Sequence, residues 1–251
     1  QGQAPMVIDE PADIVEAAHT SMLSKRSVLG SGCSAAGNLI VEQTIYEAFL
    51  EQLQKEGGYL VSDEQKSRLE KVLWTDGHRT IDTIACPAKQ IAEKAGFSLA
   101  DDKKFLIVKE DKIGKDHPFS TEKLGTLLAI FKYSGFENAL DMVARIYETQ
   151  GKGHSCGIYS FNDDHIHQLA LVAPVSRMMV RQPQSKANAG SFTNGMPMTS
   201  SMGCGVWAGN VTNENISLKH YLNYTWVARP IAEDKPSDEE LFGEFYNTET
   251  W

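Results

Sequence analysis

At 251 residues, 41% hydrophobic and 23% charged, the chain has globular composition and enough length for one large domain or two small ones. A formal charge of −9, with no dense tract of Lys and Arg, argues against a nucleic-acid partner, because binding a phosphate backbone rests on clustered cations that displace counterions. There is no apolar run of about 18 residues and no charged-apolar-small leader, so the expectation is a cytoplasmic protein with no membrane partner.

The strand-like Met6-Val7-Ile8 comes almost at once after Gln1, which predicts a fragment cut just ahead of an internal strand. Glu10-Pro11 suits a first helical turn, and Ile14, Ala17, Ala18 and Met22 follow at helical spacing. Leu39-Ile40-Val41 reads as a strand. It leads to a helix carrying Ile45, Phe49 and Leu53 that stops at Gly57-Gly58. Ser62 and Gln65 form a capping box ahead of Leu69, Val72 and Leu73. A further helix begins at Pro87, carries Ile91, Ala92 and Ala95, and ends at Gly96. Strands are predicted at Phe105–Val108, Leu127–Phe131, Ile158–Phe161 and Met178–Val180, with helices near 136–149 and 163–171. This alternation predicts an α/β layer structure with a mostly parallel sheet flanked by helices. Residues 183–217 have no sustained period and read as a long, ordered, irregular segment. After it, "YTWVARPI" reads as one more strand, and the acidic tail is expected to dock through Leu241, Phe242 and Phe245.

The chemistry-bearing residues are few. Cys33, Cys86, Cys156 and Cys204 form no CxxC pair and read as reduced thiols. Cys33 lies in "GSGCSAAGN", residues 30–38, where small neighbours leave room for a substrate and a loop can turn backbone N–H groups toward the sulfur. Those features suit a cysteine nucleophile. They only permit one, and by composition alone a small buried filler is the plainer reading. His78, His117 and His154 sit in loops beside glycine, aspartate or proline, and any of them could serve as a base. His165-x-His167 places two imidazoles on different faces of a helix start, and with no HExxH or CxxC pattern no metal is expected. "GKGHSCG" at 151–157 lacks phosphate-loop spacing and reads as a helix stop and a turn into a strand.

Longer stretches carry a resemblance. "EKLGTLLAIFKYSGFENALDMV", "GKGHSCGIYS" and "SSMGCGVWAGNVTNENISLKHYLN", with "GQAPMVIDEPADI" and "IACPAKQIAEKAGF", are similar in order to the CoA-acylating branch of the aldehyde dehydrogenase superfamily, over residues 2 to about 230. The resemblance implies a thiol-bearing catalytic domain at 1–218 and an oligomerisation strand with an acidic tail at 219–251. It also implies that the dinucleotide-binding domain is absent from this chain. Cys33 falls at the family's catalytic thiol, Glu122 at the glutamate that holds the nicotinamide ribose, and His154 at a histidine of the acylating branch. The implied cofactors are NAD or NADP with coenzyme A as co-substrate, and the implied partners are a small aldehyde and further copies of the chain, joined through Tyr224 to Ile231. The family's usual Glu-Gln pair after the cysteine is Ala36-Gly37 here, and Gly125-Thr126 stands where many members have proline. "GSGCSAAGN" with "SFTNGMPMTSSMGCG" is similar to members that take an anionic aldehyde, sulfoacetaldehyde. Succinic semialdehyde and simple short aldehydes stay open beside it. Arg79, Arg181 and the Ser191–Ser201 loop are the candidate donors to such an anion. A hydrolytic dehydrogenase and a non-catalytic oligomerisation module are the alternatives.

Overall fold

The computed structural model describes residues 2–246, and the chain divides into two compact units, Gln1–Ser217 and Leu218–Trp251. The first is built on a sheet of seven strands: β1 (Pro5–Ile8), β2 (Asn38–Glu42), β3 (Gly58–Leu60), β6 (Phe105–Lys109), β7 (Leu127–Tyr133), β8 (Cys156–Tyr159) and β9 (Met178–Val180). A two-residue hairpin, β4 (Trp74–Thr75) with β5 (His78–Arg79), stands apart from it. The order in space is β3-β6-β7-β2-β1-β8-β9, and every neighbouring pair is parallel.

The strand sequences PMVI, FLIVK and LLAIFKY are near-continuous apolar runs because both faces of the sheet are covered. Alternation along each strand splits them between two cores. Met6, Ile8, Leu39, Val41, Ile107 and Ile130 pack on one side, with residues of α1 (Ile14–Arg26) and α2 (Tyr46–Lys55). Val7, Ile40, Leu106, Val108, Ala129 and Phe131 face the other side. There they meet α3 (Asp63–Leu73), α4 (Ala88–Lys94), α5 (Phe136–Thr149) and α6 (Asp163–Val172).

Local signals account for most boundaries. The Ser62/Gln65 capping box is formed at α3. Helix α1 starts after Asp13, whose side chain accepts from the N–H of Glu16, so Pro11 precedes the helix rather than lying in its first turn. Gly58 opens β3 where the sequence suggested only a helix stop, and the strand expected at Ile158–Phe161 is displaced to Cys156–Tyr159. Residues 183–217 are irregular apart from α7 (Gln184–Ala187), a short 3-10 turn and a bridge between Met202 and Asn215. In the second unit, α8 (Asp238–Phe242) carries its own capping box at Ser237, and Leu241 and Phe245 are exposed. Tyr224 to Ile231 forms no β-ladder, which corrects the expectation of a strand within the chain: a strand needs a neighbour to take its N–H and C=O groups.

Because the sheet is parallel, all its strands begin on one edge. The segments leading into β1, β2, β7 and β8 therefore come together, and they carry Gly2, Cys33, Glu122 and His154. Ile40, fully buried in β2 between β1 and β7, anchors this arrangement. Ile40→Ala should lower the unfolding free energy by about 2–5 kcal/mol, read from urea denaturation; a loss below 1 kcal/mol would mean that the centre of the sheet is loosely packed.

Candidate active site

Helix α1 ends at Arg26, and the next turn bends the chain sharply back, with Val28, Leu29 and Gly30 all at left-handed φ (49°, 52° and 69°). For a β-branched residue this is a rare conformation. The loop that follows is held at its far end by the last turn of α1. Ser24 Oγ accepts from the Ala36 N–H at 3.0 Å, and Lys25 Nζ donates to the Ala36 carbonyl at 3.2 Å. Cys33, between these ties, is solvent-accessible. Gly2 lies against it so closely that a Cβ there would come within 2.6 Å of the Cys33 carbonyl oxygen.

His154 reaches the thiol from the segment before β8. It is 5% exposed, and its Nε2 is 2.9 Å from Cys33 Sγ while Nδ1 is 2.9 Å from Ser155 Oγ. Two ties fix the imidazole's backbone. Tyr147 donates its hydroxyl to the Ser155 carbonyl at 2.6 Å, and the Gly153 N–H donates to the Pro174 carbonyl at 2.8 Å. Gly153 has φ of +100°, and a Cβ there would meet the Cys204 carbonyl oxygen at 2.4 Å, so the residue before the histidine has to be glycine.

The pair is neutral at rest. Burial, with the Arg177 guanidinium nearby, pulls His154 down to about 4. Burial first and the Glu122 carboxylate second push the Cys33 thiol up, and the backbone N–H groups of Cys33 and Ser34, directed at the sulfur, offset part of this. A neutral thiol facing a neutral imidazole can pass its proton to Nε2 when Nδ1 carries the other hydrogen and donates it to Ser155 Oγ.

Glu122 completes the cluster. Its Oε1 accepts from the Gly2 N–H at 3.0 Å, and a small cavity behind Cys33 is lined by Gly2, Lys25, Cys33, Glu122 and Lys123. Burial raises the Glu122 carboxyl, while the Gly2 N–H and the Lys123 and Lys25 ammonium groups pull it back. The structure thus brings Cys33, His154 and Glu122 together.

It does not bring the other candidates there. Arg79 donates to the carbonyls of Leu73, Lys123 and Thr83 and lies over the Trp74 ring, so its guanidinium is a structural tie rather than a donor to a substrate anion. Arg181 donates to the Ser160 carbonyl beyond the C-terminal ends of β8 and β9, on the edge of the sheet opposite Cys33. His165 lies on that far edge too, with Nδ1 2.7 Å from Asp9 Oδ2. Among the described residues no group of three or more His, Cys, Asp or Glu side chains could hold a metal.

Sequence reading missed Lys25, Lys123, Ser155 and Arg177, all buried around the site. For Lys25 a signal existed: it continues the stripe Ile14, Ala18, Met22 at helical spacing, so a charge had to lie on the buried face.

No family model matches the chain. Curated relatives do. It is 40% identical over 250 residues to the sulfoacetaldehyde dehydrogenase of an Acholeplasma species, covering 97% of this chain and 51% of that protein. It is 36% identical over 247 residues to the acylating sulfoacetaldehyde dehydrogenase of Cupriavidus necator, covering 98% and 50%. A solved acetylating aldehyde dehydrogenase from Geobacillus thermoglucosidasius superposes with a TM-score of 0.89 at 28% identity, covering 94% of this chain and 52% of that one. Over nearly its whole length the chain is similar to about half the length of proteins named as acylating aldehyde dehydrogenases. It spans about half the length of the curated relatives it matches. The mostly parallel α/β sheet is that of the acylating aldehyde dehydrogenases.

The buried imidazole makes stability pH-dependent. Its folded value of about 4 lies below the 6.5 of a free imidazole, so between these the unfolded chain binds the extra proton. This contribution is fully present above about pH 6.5 and is lost as pH falls toward 4, amounting to on the order of 3 kcal/mol. His154→Gln should therefore lose less stability than the wild-type chain between about pH 7.5 and 4.5 in urea melts; parallel curves would mean that the imidazole is free to protonate in the fold.

Proposed function

We propose that the chain is the thiol-bearing part of an NAD(P)-dependent, CoA-acylating aldehyde dehydrogenase. The observation that carries this is the 2.9 Å contact of buried His154 Nε2 with accessible Cys33 Sγ, beside a cavity lined by Glu122, in a chain similar to the acylating enzymes. The names of the Acholeplasma and Cupriavidus relatives support sulfoacetaldehyde as the aldehyde.

In this reading Cys33 attacks the aldehyde carbon as His154 Nε2 takes the thiol proton, forming a thiohemiacetal on sulfur. Both groups rest neutral, so ionisation is coupled to attack rather than maintained beforehand. Glu122, whose Oε1 accepts from the Gly2 N–H, lines the cavity beside Cys33, which fits a glutamate that holds the nicotinamide ribose. The nicotinamide, when bound, supplies the hydride acceptor for the thiohemiacetal carbon. The thioester left on Cys33 passes its acyl group to the thiol of coenzyme A, and the thiol proton of Cys33 is restored. We infer that a Rossmann half outside this chain holds most of the dinucleotide, and that the thiol-bearing unit ends near residue 218. We further infer that Tyr224 to Ile231, with Trp226 94% exposed, pairs with the sheet of another copy, and that the assembly works in the cytoplasm.

The whole protein should reduce NAD(P) with sulfoacetaldehyde only when coenzyme A is present, and Cys33→Ala should abolish turnover. Equal rates without coenzyme A would mean that water takes the acyl group, and undiminished turnover of Cys33→Ala would remove the assignment.

A further inference from the structure

His154 and Ser155 are neighbours in sequence, and in an extended strand two successive side chains would point to opposite faces. The backbone bends at His154, just ahead of β8, and the two meet: Ser155 Oγ lies 2.9 Å from the imidazole Nδ1. Ser155 is fully buried, and Tyr147, itself 1% exposed, holds its carbonyl from α5. The other ring nitrogen, Nε2, is 2.9 Å from Cys33 Sγ. A neutral imidazole carries one hydrogen, so it donates at one of these contacts and accepts at the other. The sulfur decides which. It is met by Nε2 and by the backbone N–H groups of Cys33 and Ser34. The two amides can only donate, so they take the sulfur's lone pairs and leave the thiol hydrogen for Nε2. An Nε2 that accepts puts the ring hydrogen on Nδ1, where Ser155 Oγ is the acceptor.

We propose that Ser155 is a positioning residue of the site: its hydroxyl oxygen accepts the Nδ1 hydrogen of His154 and so holds the imidazole in the tautomer whose bare Nε2 faces Cys33. Cys33, His154 and Ser155 then form a relay whose orienting group is neutral, where a carboxylate is the commoner partner of such an imidazole. The difference has a chemical consequence. As the Cys33 sulfur bonds to an aldehyde carbon, its S–H bond breaks, the proton goes to Nε2 and the carbonyl π pair goes to oxygen. Nδ1 keeps its hydrogen throughout, and Ser155 accepts it before and after. A carboxylate there would hold the second proton on the ring, and a hydroxyl supports the imidazolium less. His154 is thus free to give the proton up and to take the next one, from the thiol of coenzyme A as its sulfur attacks the thioester, and to hand that proton to the departing Cys33 sulfur. The role in turnover rests on the dehydrogenase reading; the tautomer does not.

The test is ¹⁵N NMR of the whole protein labelled at histidine, recorded at about pH 7.5, well above the value of about 4 at which His154 protonates. A protonated and a bare ring nitrogen differ in chemical shift, and His154→Gln identifies the resonances. The wild type should show hydrogen on Nδ1 and a bare Nε2. Ser155→Ala should lose that preference, with the hydrogen shared between the nitrogens or moved to Nε2, and should lower coenzyme A-dependent turnover by about tenfold or more. Ser155→Thr, which keeps a hydroxyl, should recover the wild-type tautomer and most of the turnover lost in Ser155→Ala. A wild-type spectrum with the hydrogen on Nε2 overturns the proposal, because Ser155 would then be the donor. So does a Ser155→Ala spectrum identical to the wild type, or undiminished turnover of Ser155→Ala in an active protein. Should Ser155→Thr fail to fold by circular dichroism, the wild-type and Ser155→Ala spectra decide alone. The spectra need no substrate, so a protein with the expected tautomer and no coenzyme A-dependent turnover would lose the dehydrogenase reading and keep the Ser155 contact.

Discussion

The contact between Cys33 and His154 joins residues 121 positions apart, and the parallel sheet makes it possible. Strands β2 and β8 flank β1 and run in its direction, so the segments before them leave the same edge of the sheet side by side. In an antiparallel arrangement one of the two would lie at the opposite edge. The site sits where strands begin, while the Asp9 cluster, with Tyr133, Ser160 and His165 donating to one buried carboxylate, closes the edge where they end. Open α/β sheets more often hold ligands at the strand ends; here the far edge is occupied by a structural network and the near edge by the thiol.

Electrostatics then decide what the geometry can do. Burial opposes charge on both members of the pair, so the resting state is thiol and imidazole, not thiolate and imidazolium. Lys25 and Lys123 are buried and Glu122 is half-buried on the walls of one small cavity, where each group's charge depends on the others. Removing one from such a cluster leaves its partners exposed to the full cost of a buried charge. The glycines at 2 and 153 serve the same end by steric means: each lets a backbone approach that a single methyl group would block.

Much of this fold is legible in the residues because its signals are local. The capping box at Ser62, the apolar runs of β6 and β7, and the helical spacing of Phe49 and Leu53 depend on near neighbours in sequence. The site is legible only in part. Small residues around Cys33 allow a nucleophile without requiring one, and nothing local distinguishes His154 from His78 or His117; the distinction came from family resemblance. Arg79 and Arg181 are attractive as free cations in sequence, but each spends its donors on backbone carbonyls that only the folded chain presents. Tyr224 to Ile231 has the composition of a strand, yet a strand is a relation between two segments, and the chain forms no ladder there.

The most direct test of the thiol's role runs the last chemical step backward. The whole protein, incubated with acetyl-CoA and no cofactor, then digested and mapped, should carry one acetyl group on Cys33, bound as a thioester that hydroxylamine removes, with Cys86, Cys156 and Cys204 unmodified. An acetyl group that fails to form, or that is spread evenly over the four cysteines, would contradict the assignment of Cys33 as the residue that exchanges an acyl group with coenzyme A.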